Sequence, residues 1–235
     1  MSKQTRIDRF NFRGAMAPPL TASREGIWTK SDTSAAGAPT VQTGSSGAME
    51  LTLDATNEAQ NIGLLMGDVL VYDIDDLIRI NIIAAVSAGL NAAVSAAFGV
   101  AGARNDAIDS IAQHVLFRCI GSNALVAESD DGTTDVDDIA TGMSLGVAFR
   151  RFTIDFAEGM LSQSPPSLSK GGKADVRLGI SAPNGSMRRV GEGTRFDVSA
   201  YSGGLQLFAQ LQKTANVAVA TLFLLEYEVE YRLPI

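Results

Sequence analysis

The stretch 221–233, TLFLLEYEVEYRL, decides the fold class of this chain. From residue 223 onward it alternates two kinds of side chain, one set mostly aromatic or aliphatic and the other mostly charged. The first set is Phe223, Leu225, Tyr227, Val229, Tyr231 and Leu233, and the second is Leu224, Glu226, Glu228, Glu230 and Arg232. A period of two places alternate side chains on opposite faces of a strand, whereas a helix repeats every 3.6 residues. The stretch therefore predicts a β-strand with one buried face.

The same pattern recurs along the chain, most clearly in residues 174–180 and 205–212. Further short apolar runs predict strands at 50–54, 62–72, 77–88, 93–102, 111–120, 123–128 and 144–157. The spacers between them are rich in Gly, Asn, Ser and Pro, which favour turns. About ten strands without alternating helices indicate an all-β protein, an antiparallel two-sheet sandwich or barrel.

The first 48 residues have a different composition. They contain Pro18-Pro19 and small-residue runs at 34–38 and 43–47, which bury too little apolar surface to fold alone. We therefore predict an extended N-terminal arm over 1–48, preceding an all-β domain over 49–235.

The arm nevertheless carries basic and aromatic side chains, which suggest that it docks on a surface. The candidate partner contacts are Arg6, Arg9, Phe10, Phe12, Arg13 and Trp28. Two alternatives stay open: these residues contact another protein, or they pack on the chain's own body.

Charge and composition exclude several classes of protein. The formal net charge is −7, with 6 basic and 2 acidic residues in 1–30 but 5 basic and 17 acidic residues in 49–160, which disfavours nucleic-acid binding. The uncharged run 82–103 is mostly Ala, Gly and Ser, with Asn91 near its middle, so it predicts two strands around a turn and no membrane span. A single cysteine and the absence of an apolar N-terminal stretch suggest a protein made in reducing cytoplasm.

The most acidic stretch is ESDDGTTDVDDIATG, residues 128–142. An EF-hand register on Gly132 puts Ala127 at the first ligand position, so that match fails. An irregular calcium site stays a weaker alternative, with the candidate ligands Asp130, Asp131, Asp135, Asp137 and Asp138. The favoured prediction is a hydrogen-bonded connection between two strands, and an acidic surface for a basic partner is the second alternative.

Catalytic motifs are not apparent. The one histidine, His114, is five residues from the one cysteine, Cys119, so the two lie on opposite faces of the same predicted strand. No serine lies in a nucleophile elbow, and no glycine pattern matches a phosphate-binding or dinucleotide-binding loop. We predict no enzyme activity, no catalytic residues and no cofactor, with a β-sandwich hydrolase as a minor alternative.

Several segments together resemble bacteriophage virion proteins of the jelly-roll head-decoration, or cement, type. They are 98–106, 128–142, 152–159, 203–214 and 227–231, and the resemblance spans roughly residues 50–235. It implies an antiparallel jelly-roll-like β-sandwich, a jelly-roll domain over 49–235. It also implies a homotrimer without catalytic residues, which sits on a capsid exterior and uses extended arms to bridge subunits.

The resemblance and the residues together predict a structural virion protein, made in the host cytoplasm, that decorates and stabilises a phage capsid. Its expected partners are the major capsid protein and further copies of itself, with no nucleic acid and no membrane. The alternative is a receptor- or glycan-binding jelly-roll module of a tail fibre or other appendage. Aromatic residues, which often stack on sugars, make up only 6% of the chain and disfavour that alternative.

Overall fold

The computed structural model describes residues 4–13, 28–44, 47–87, 90–156 and 172–233. Within these ranges the chain forms strands connected by loops and two short 3-10 helices, Ile108–Ser110 and Lys173–Asp175. The strands in chain order are β1 (Thr5–Asn11), β2 (Thr29–Asp32), β3 (Thr40–Thr43), β4 (Met49–Thr52), β5 (Glu58–Leu65), β6 (Tyr72–Asp73), β7 (Leu77–Val86), β8 (Val94–Ala101), β9 (His114–Ile120), β10 (Ala124–Asp130), β11 (Asp135–Ser144), β12 (Arg150–Asp155), β13 (Arg177–Ser181), β14 (Arg188–Val190), β15 (Gly204–Asn216) and β16 (Thr221–Arg232).

These strands build two antiparallel sheets. The first sheet has the order β14-β13-β12-β7-β16-β4-β3, with β1 also paired to β16. The second sheet has the order β11-β10-β9-β8-β15-β5-β2, with β6 paired to β15. The two sheets pack face to face, which confirms the predicted jelly-roll-like sandwich.

The core lies between the sheets and follows from strand alternation. On β15, for example, Leu205, Leu207 and Leu211 are fully or almost fully buried in it. At its centre three phenylalanines from both sheets meet, since the ring of Phe152 lies 4.7 Å from that of Phe98 and 5.0 Å from that of Phe117. Offset and edge-to-face aromatic pairs of this kind add to the stabilisation from apolar burial.

The strand β16 departs from the simple alternation of its sequence. A β-bulge against β7 falls between Leu224 and Glu226 and inserts an extra residue. Leu224 and Tyr227 therefore both enter the core, while Phe223 and Leu225 pack in a small apolar cluster apart from it. A bulge shifts the side-chain alternation by one residue, which a strict period of two cannot anticipate.

The described parts of the first 48 residues contribute three strands to the sandwich. β1 pairs along β16 from Thr5 opposite Arg232, and the Leu233 N–H donates to the Gln4 carbonyl at 2.8 Å. β2 extends the second sheet beside β5, and β3 extends the first sheet beside β4.

The aromatic residues of this segment pack on the chain's own body, the second of the two alternatives left open by the sequence. Trp28 and Phe12 are each 5% exposed. The Trp28 ring lies 5.6 Å from Phe10, 5.4 Å from Phe12 and 5.8 Å from Tyr227 of β16. The predicted partner contacts at Phe12 and Trp28 are therefore occupied within this chain.

The uncharged run 82–103 contains the end of β7 and all of β8, as predicted. In the part of the chain that the structure describes, no helix is long and apolar enough to cross a membrane.

We expect Trp28→Ala to lower the free energy of unfolding by about 3 kcal/mol or more, because it removes the centre of an aromatic cluster that joins β1 to β16. Denaturant unfolding followed by circular dichroism measures this. The exposed Val217, which is 65% exposed, provides the control, and Val217→Ala should change stability by less than about 0.5 kcal/mol. Equal stability of Trp28→Ala and wild type would show that the N-terminal strands do not support the sandwich.

Candidate functional site

The outer face of the second sheet carries rows of side chains that cross its strands. In one row Asn61 of β5, Gln212 of β15, Ser95 of β8 and Ile120 of β9 lie opposite one another in register. Neighbouring strands are about 4.8 Å apart, so this row is about 14 Å long. Three of its four side chains are uncharged and polar.

The remaining rows of this face lie beneath the loop that connects β8 to β9, residues 102–113, which we call the covering loop. It packs apolar residues on the sheet and forms a second, small core with them. That cluster comprises Ala97, Ala101, Ile108, Ile111, Leu116 and Phe208. The loop therefore buries most of an outer face that would otherwise meet water.

Glutamines of β15 and an asparagine of β5 hold the covering loop by hydrogen bonds. The Gln206 amide donates to the Gly102 carbonyl at 2.9 Å, and the Gln210 amide donates to the Asp106 carbonyl at 3.0 Å. The Asn61 amide donates to the same Asp106 carbonyl. These hydrogen bonds set the distance between residues 105–107 and the sheet.

The row that the loop leaves open forms the floor of a groove. This cavity has a volume of about 440 Å³, and the loop residues Asp106 and Ala107 form one wall. Its floor combines Asn61, Gln212 and Ser95 with short apolar residues of the β8 and β9 ends. A volume of this size suits a small organic ligand.

One buried acceptor of the groove floor has no partner among the described residues. The Asn61 side chain is 6% exposed, and its buried Oδ1 accepts no hydrogen bond from the described part of the chain. A buried acceptor of this kind costs free energy. Amides and hydroxyls both donate and accept, which matches a neutral ligand that carries hydroxyl groups.

Lys213 also borders the groove, but its ammonium group is already engaged. It donates to the carbonyls of Thr56 at 2.9 Å and Ala218 at 3.2 Å, and also to the Asp54 carbonyl. Its role in the described structure is to join loops at this end of the sandwich, and the groove floor remains largely uncharged.

Four ionisable side chains gather at the other end of the covering loop. The buried Arg118 forms a buried ion pair with Glu128 at 2.6 Å and a second ion pair with the exposed Asp109 of the loop. His114 Nδ1 lies 2.7 Å from the Ile111 carbonyl, and His114 Nε2 lies 3.4 Å from Glu128 Oε1. Burial raises the pKa of Glu128 to about 7 despite Arg118, and burial lowers the pKa of His114.

The acidic stretch 128–142 forms the β10–β11 hairpin. Asp131 accepts hydrogen bonds from the backbone N–H groups of Thr133, Thr134 and Ala200, at 2.9, 2.7 and 2.9 Å, as the prediction of a hydrogen-bonded connection requires. Asp130 accepts from the Gly132 N–H at 2.7 Å. Residues 135–143, which lie outside every predicted strand, belong to β11.

Of the carboxylates proposed for calcium, Asp135 lies near Asp137 and Asp130, and burial together with their negative charge raises the pKa of Asp135. Among the residues described, no three His, Cys, Asp or Glu side chains form a group that could hold a metal ion. The Asp131 oxygens already accept from backbone donors, and Asp137 and Asp138 are exposed on the edge strand β11.

Two of the three arginines predicted as partner contacts form ion pairs within the chain. Arg9 pairs with Glu228 on β16, and Arg6 pairs with Asp8 at 2.9 Å. Arg13, the last residue of the first described range, is exposed. The geometry does not bring these arginines to the groove.

The groove residues were not predicted from the sequence. Gln212 and Ser95 belong to strands that were predicted, and the Gln-rich face of 205–212 was the available signal. That face marks an unusual outer surface, but only the register across strands brings Asn61, Gln212 and Ser95 together.

Comparisons with known protein families and with curated proteins find no match. Among solved structures the chain is similar in fold to peanut lectin, with a TM-score of 0.55, 10% identity and 99% of each chain covered. It is also similar to the carbohydrate recognition domain of Emp47p, with a TM-score of 0.51, 12% identity, and 92% of this chain and 94% of that chain covered.

A third similar structure is a protein of unknown function from Shewanella oneidensis MR-1. Its TM-score is 0.56 at 10% identity, over 99% of this chain and 88% of that one. These likenesses identify a lectin-like jelly-roll fold, and none of the three bears on capsid decoration.

We expect Asp131→Ala to lower the free energy of unfolding by about 2 kcal/mol at pH 7, because it removes an ionised acceptor from three backbone N–H groups. Burial by itself would raise the pKa of Asp131, but the N–H groups of Thr134, Ala200 and Thr133 outweigh it and lower that pKa. The contribution is therefore present above the unfolded-state pKa of about 3.9 and is lost as the pH falls through the lower folded-state value.

Urea unfolding at pH 7 and at pH 3 measures this contribution. The control is Asp137→Ala, which changes an exposed carboxylate of the same hairpin. The difference between Asp131→Ala and wild type should shrink at pH 3. A difference that grows on acidification would contradict the assigned hydrogen bonds.

Proposed function

We propose that this protein is a glycan-binding module whose site is the groove beside the covering loop. The observation that carries this proposal is the row of Asn61, Gln212 and Ser95 on the groove floor, whose amide and hydroxyl groups both donate and accept hydrogen bonds. Sugar hydroxyls supply both the donors and the acceptors that such a floor requires.

The fold supports the proposal. Emp47p carries a carbohydrate recognition domain, and peanut lectin is a lectin, so proteins of this general architecture bind sugars. Because a shared fold does not establish a shared function, the argument for this chain depends on the groove itself.

The ligand class follows from the groove chemistry. Its described floor offers amides, a hydroxyl and small apolar side chains, and its lysine is engaged by carbonyls. We therefore expect neutral oligosaccharides to bind in preference to acidic ones. None of the described residues that line the groove is aromatic, so each site should bind weakly and gain strength from multivalency.

The proposal assigns binding and no catalysis, in keeping with the sequence analysis. The capsid-decoration function, the trimer, the capsid partner and the virion location stay predictions from the sequence. A tail-fibre or appendage setting also stays a prediction, and it is the one that agrees with glycan binding.

A printed array of neutral and acidic oligosaccharides, followed by calorimetry with the best-bound member, tests this function. We expect Gln212→Ala to weaken binding about fivefold to tenfold, because one good hydrogen bond contributes about 1 kcal/mol. Ser95→Tyr should abolish binding, since the larger side chain would fill the floor of the groove.

The matched control is Gln42→Ala, which makes the same change at an exposed position of β3 on the other sheet. Gln42→Ala should bind as the wild type does. Unchanged affinity in both Gln212→Ala and Ser95→Tyr would show that the groove is not the glycan site.

A further inference from the structure

The ionisable cluster under the covering loop has an unusual arrangement of hydrogen-bonding atoms. His114 and Glu128 are 4% and 0% exposed, and they lie on the outer face of β9 and β10, beneath the loop. Both His114 Nε2 and Glu128 Oε1 are buried without a hydrogen-bond partner among the described residues, although they face each other at 3.4 Å. Buried polar atoms usually find partners, so this pair requires an explanation.

A single proton between His114 and Glu128 explains this arrangement. His114 Nδ1 lies 2.7 Å from the Ile111 carbonyl, and a carbonyl oxygen can only accept, so Nδ1 carries the hydrogen. In the neutral imidazole Nε2 is then an acceptor and faces another acceptor, the Glu128 carboxylate. One proton between Glu128 Oε1 and His114 Nε2 turns this repulsion into a hydrogen bond.

The surroundings favour retention of that proton. Arg118 is the one cation that contacts Glu128 among the described residues, and it is shared with Asp109. Four carboxylates from the covering loop, the end of β10 and β11 contribute negative charge around the pair: Asp109, Asp130, Asp137 and Asp138. Negative charge close to a buried acid favours its protonated form.

The same cluster holds the covering loop on the sheet. The loop is attached through the His114 bond to the Ile111 carbonyl and through the Arg118 ion pair to Asp109. A few residues earlier in the loop, Asp106 and Ala107 form the groove wall. A change at the cluster therefore acts on the segment that shapes the groove.

We propose that one proton shared by Glu128 and His114 holds the covering loop against the sheet and so regulates the groove. This regulation rests on the proposed function of the groove. With the proton present, Glu128 donates to His114, and Arg118 is free to pair more fully with Asp109. Once the proton is lost, two acceptors oppose each other, Arg118 is drawn to the ionised Glu128, and both attachments of the loop weaken.

The direction of the pH effect follows from the two groups. The pKa of Glu128 is raised to about 7, so its contribution is full below its unfolded-state pKa of about 4.5 and is lost as the pH rises through about 7. The pKa of His114 is lowered, so its contribution is present above about pH 6.5 and is lost as the pH falls through the lower folded-state value. Between pH 6 and pH 8 the Glu128 effect dominates, and we expect the loop to be held at pH 6 and loosened at pH 8.

Hydrogen–deuterium exchange of residues 102–113 at pH 6 and pH 8, corrected for the intrinsic chemical rate, tests the proposal without a ligand. In the wild type the corrected exchange should rise about threefold or more at pH 8. In Glu128→Gln it should stay at the low value at both pH values, because the neutral amide donates permanently to His114. An equal rise in Glu128→Gln, or no rise in the wild type, would overturn the proposal.

A second variant tests the loop attachment at an exposed position, where folding is not at risk. Asp109 is 75% exposed, and Asp109→Asn should raise the corrected exchange of the loop already at pH 6. Exchange in Asp109→Asn that equals the wild-type value would show that Arg118 does not hold the loop.

The printed array of neutral oligosaccharides, washed at pH 6 and at pH 8, separates this proposal from the function on which it rests. Stronger retention at pH 6 in the wild type, and equal retention at both pH values in Glu128→Gln, is the expected result. Equal retention at both pH values in the wild type would overturn regulation of the groove. No retention at either pH would contradict glycan binding, and loop exchange would then decide whether the proton holds the loop.

Discussion

The structure depends on the requirement that the buried amide N–H groups on the outer face of β15 find hydrogen-bond acceptors. Gln206 and Gln210 are fully buried on the face of the strand that points away from the core. Gln206 accepts from the Met66 and Asp68 N–H groups and donates to the Gly102 carbonyl, while Gln210 donates to the Asp106 carbonyl. Unpaired, each amide would cost about 1–3 kcal/mol, so the strand dictates where the covering loop can lie. The groove is the part of that face which the loop leaves open.

The sandwich itself follows from local pattern, and the groove does not. Alternation in 205–212 and 221–233 predicts half-buried strands, because a period of two is a property of each strand alone. The meeting of Asn61 with Gln212 and Ser95 depends on register between strands far apart in sequence, which no local pattern encodes. The β11 strand was missed for a related reason. Its Asp-rich composition is typical of turns, yet an edge strand tolerates charged side chains on both faces.

The N-terminal segment shows the limit of composition as a guide. Pro, Gly and Ser in 1–48 indicate a chain that cannot fold alone, which is compatible with short strands that depend on the rest of the sheet. Aromatic residues seldom occur in free arms, so Phe12 and Trp28 indicate a docked segment. In the structure the Trp28 ring packs against Phe12 and against Tyr227. The buried Glu128 and His114 could not be identified either, since the sequence gives no sign of the loop that covers them.

The pairing of β1 with β16 brings the two ends of the described chain side by side, where the Leu233 N–H donates a hydrogen bond to the Gln4 carbonyl. In an antiparallel pair the hydrogen bonds run across the strands, so tension applied at residues 4 and 233 would pull along those bonds. The hydrogen bonds between β1 and β16 would break one after another, instead of all being sheared at once. If force were applied to both ends, β1 would therefore detach first. If force were applied between one end and a ligand bound in the groove, it would be transmitted through the whole sandwich.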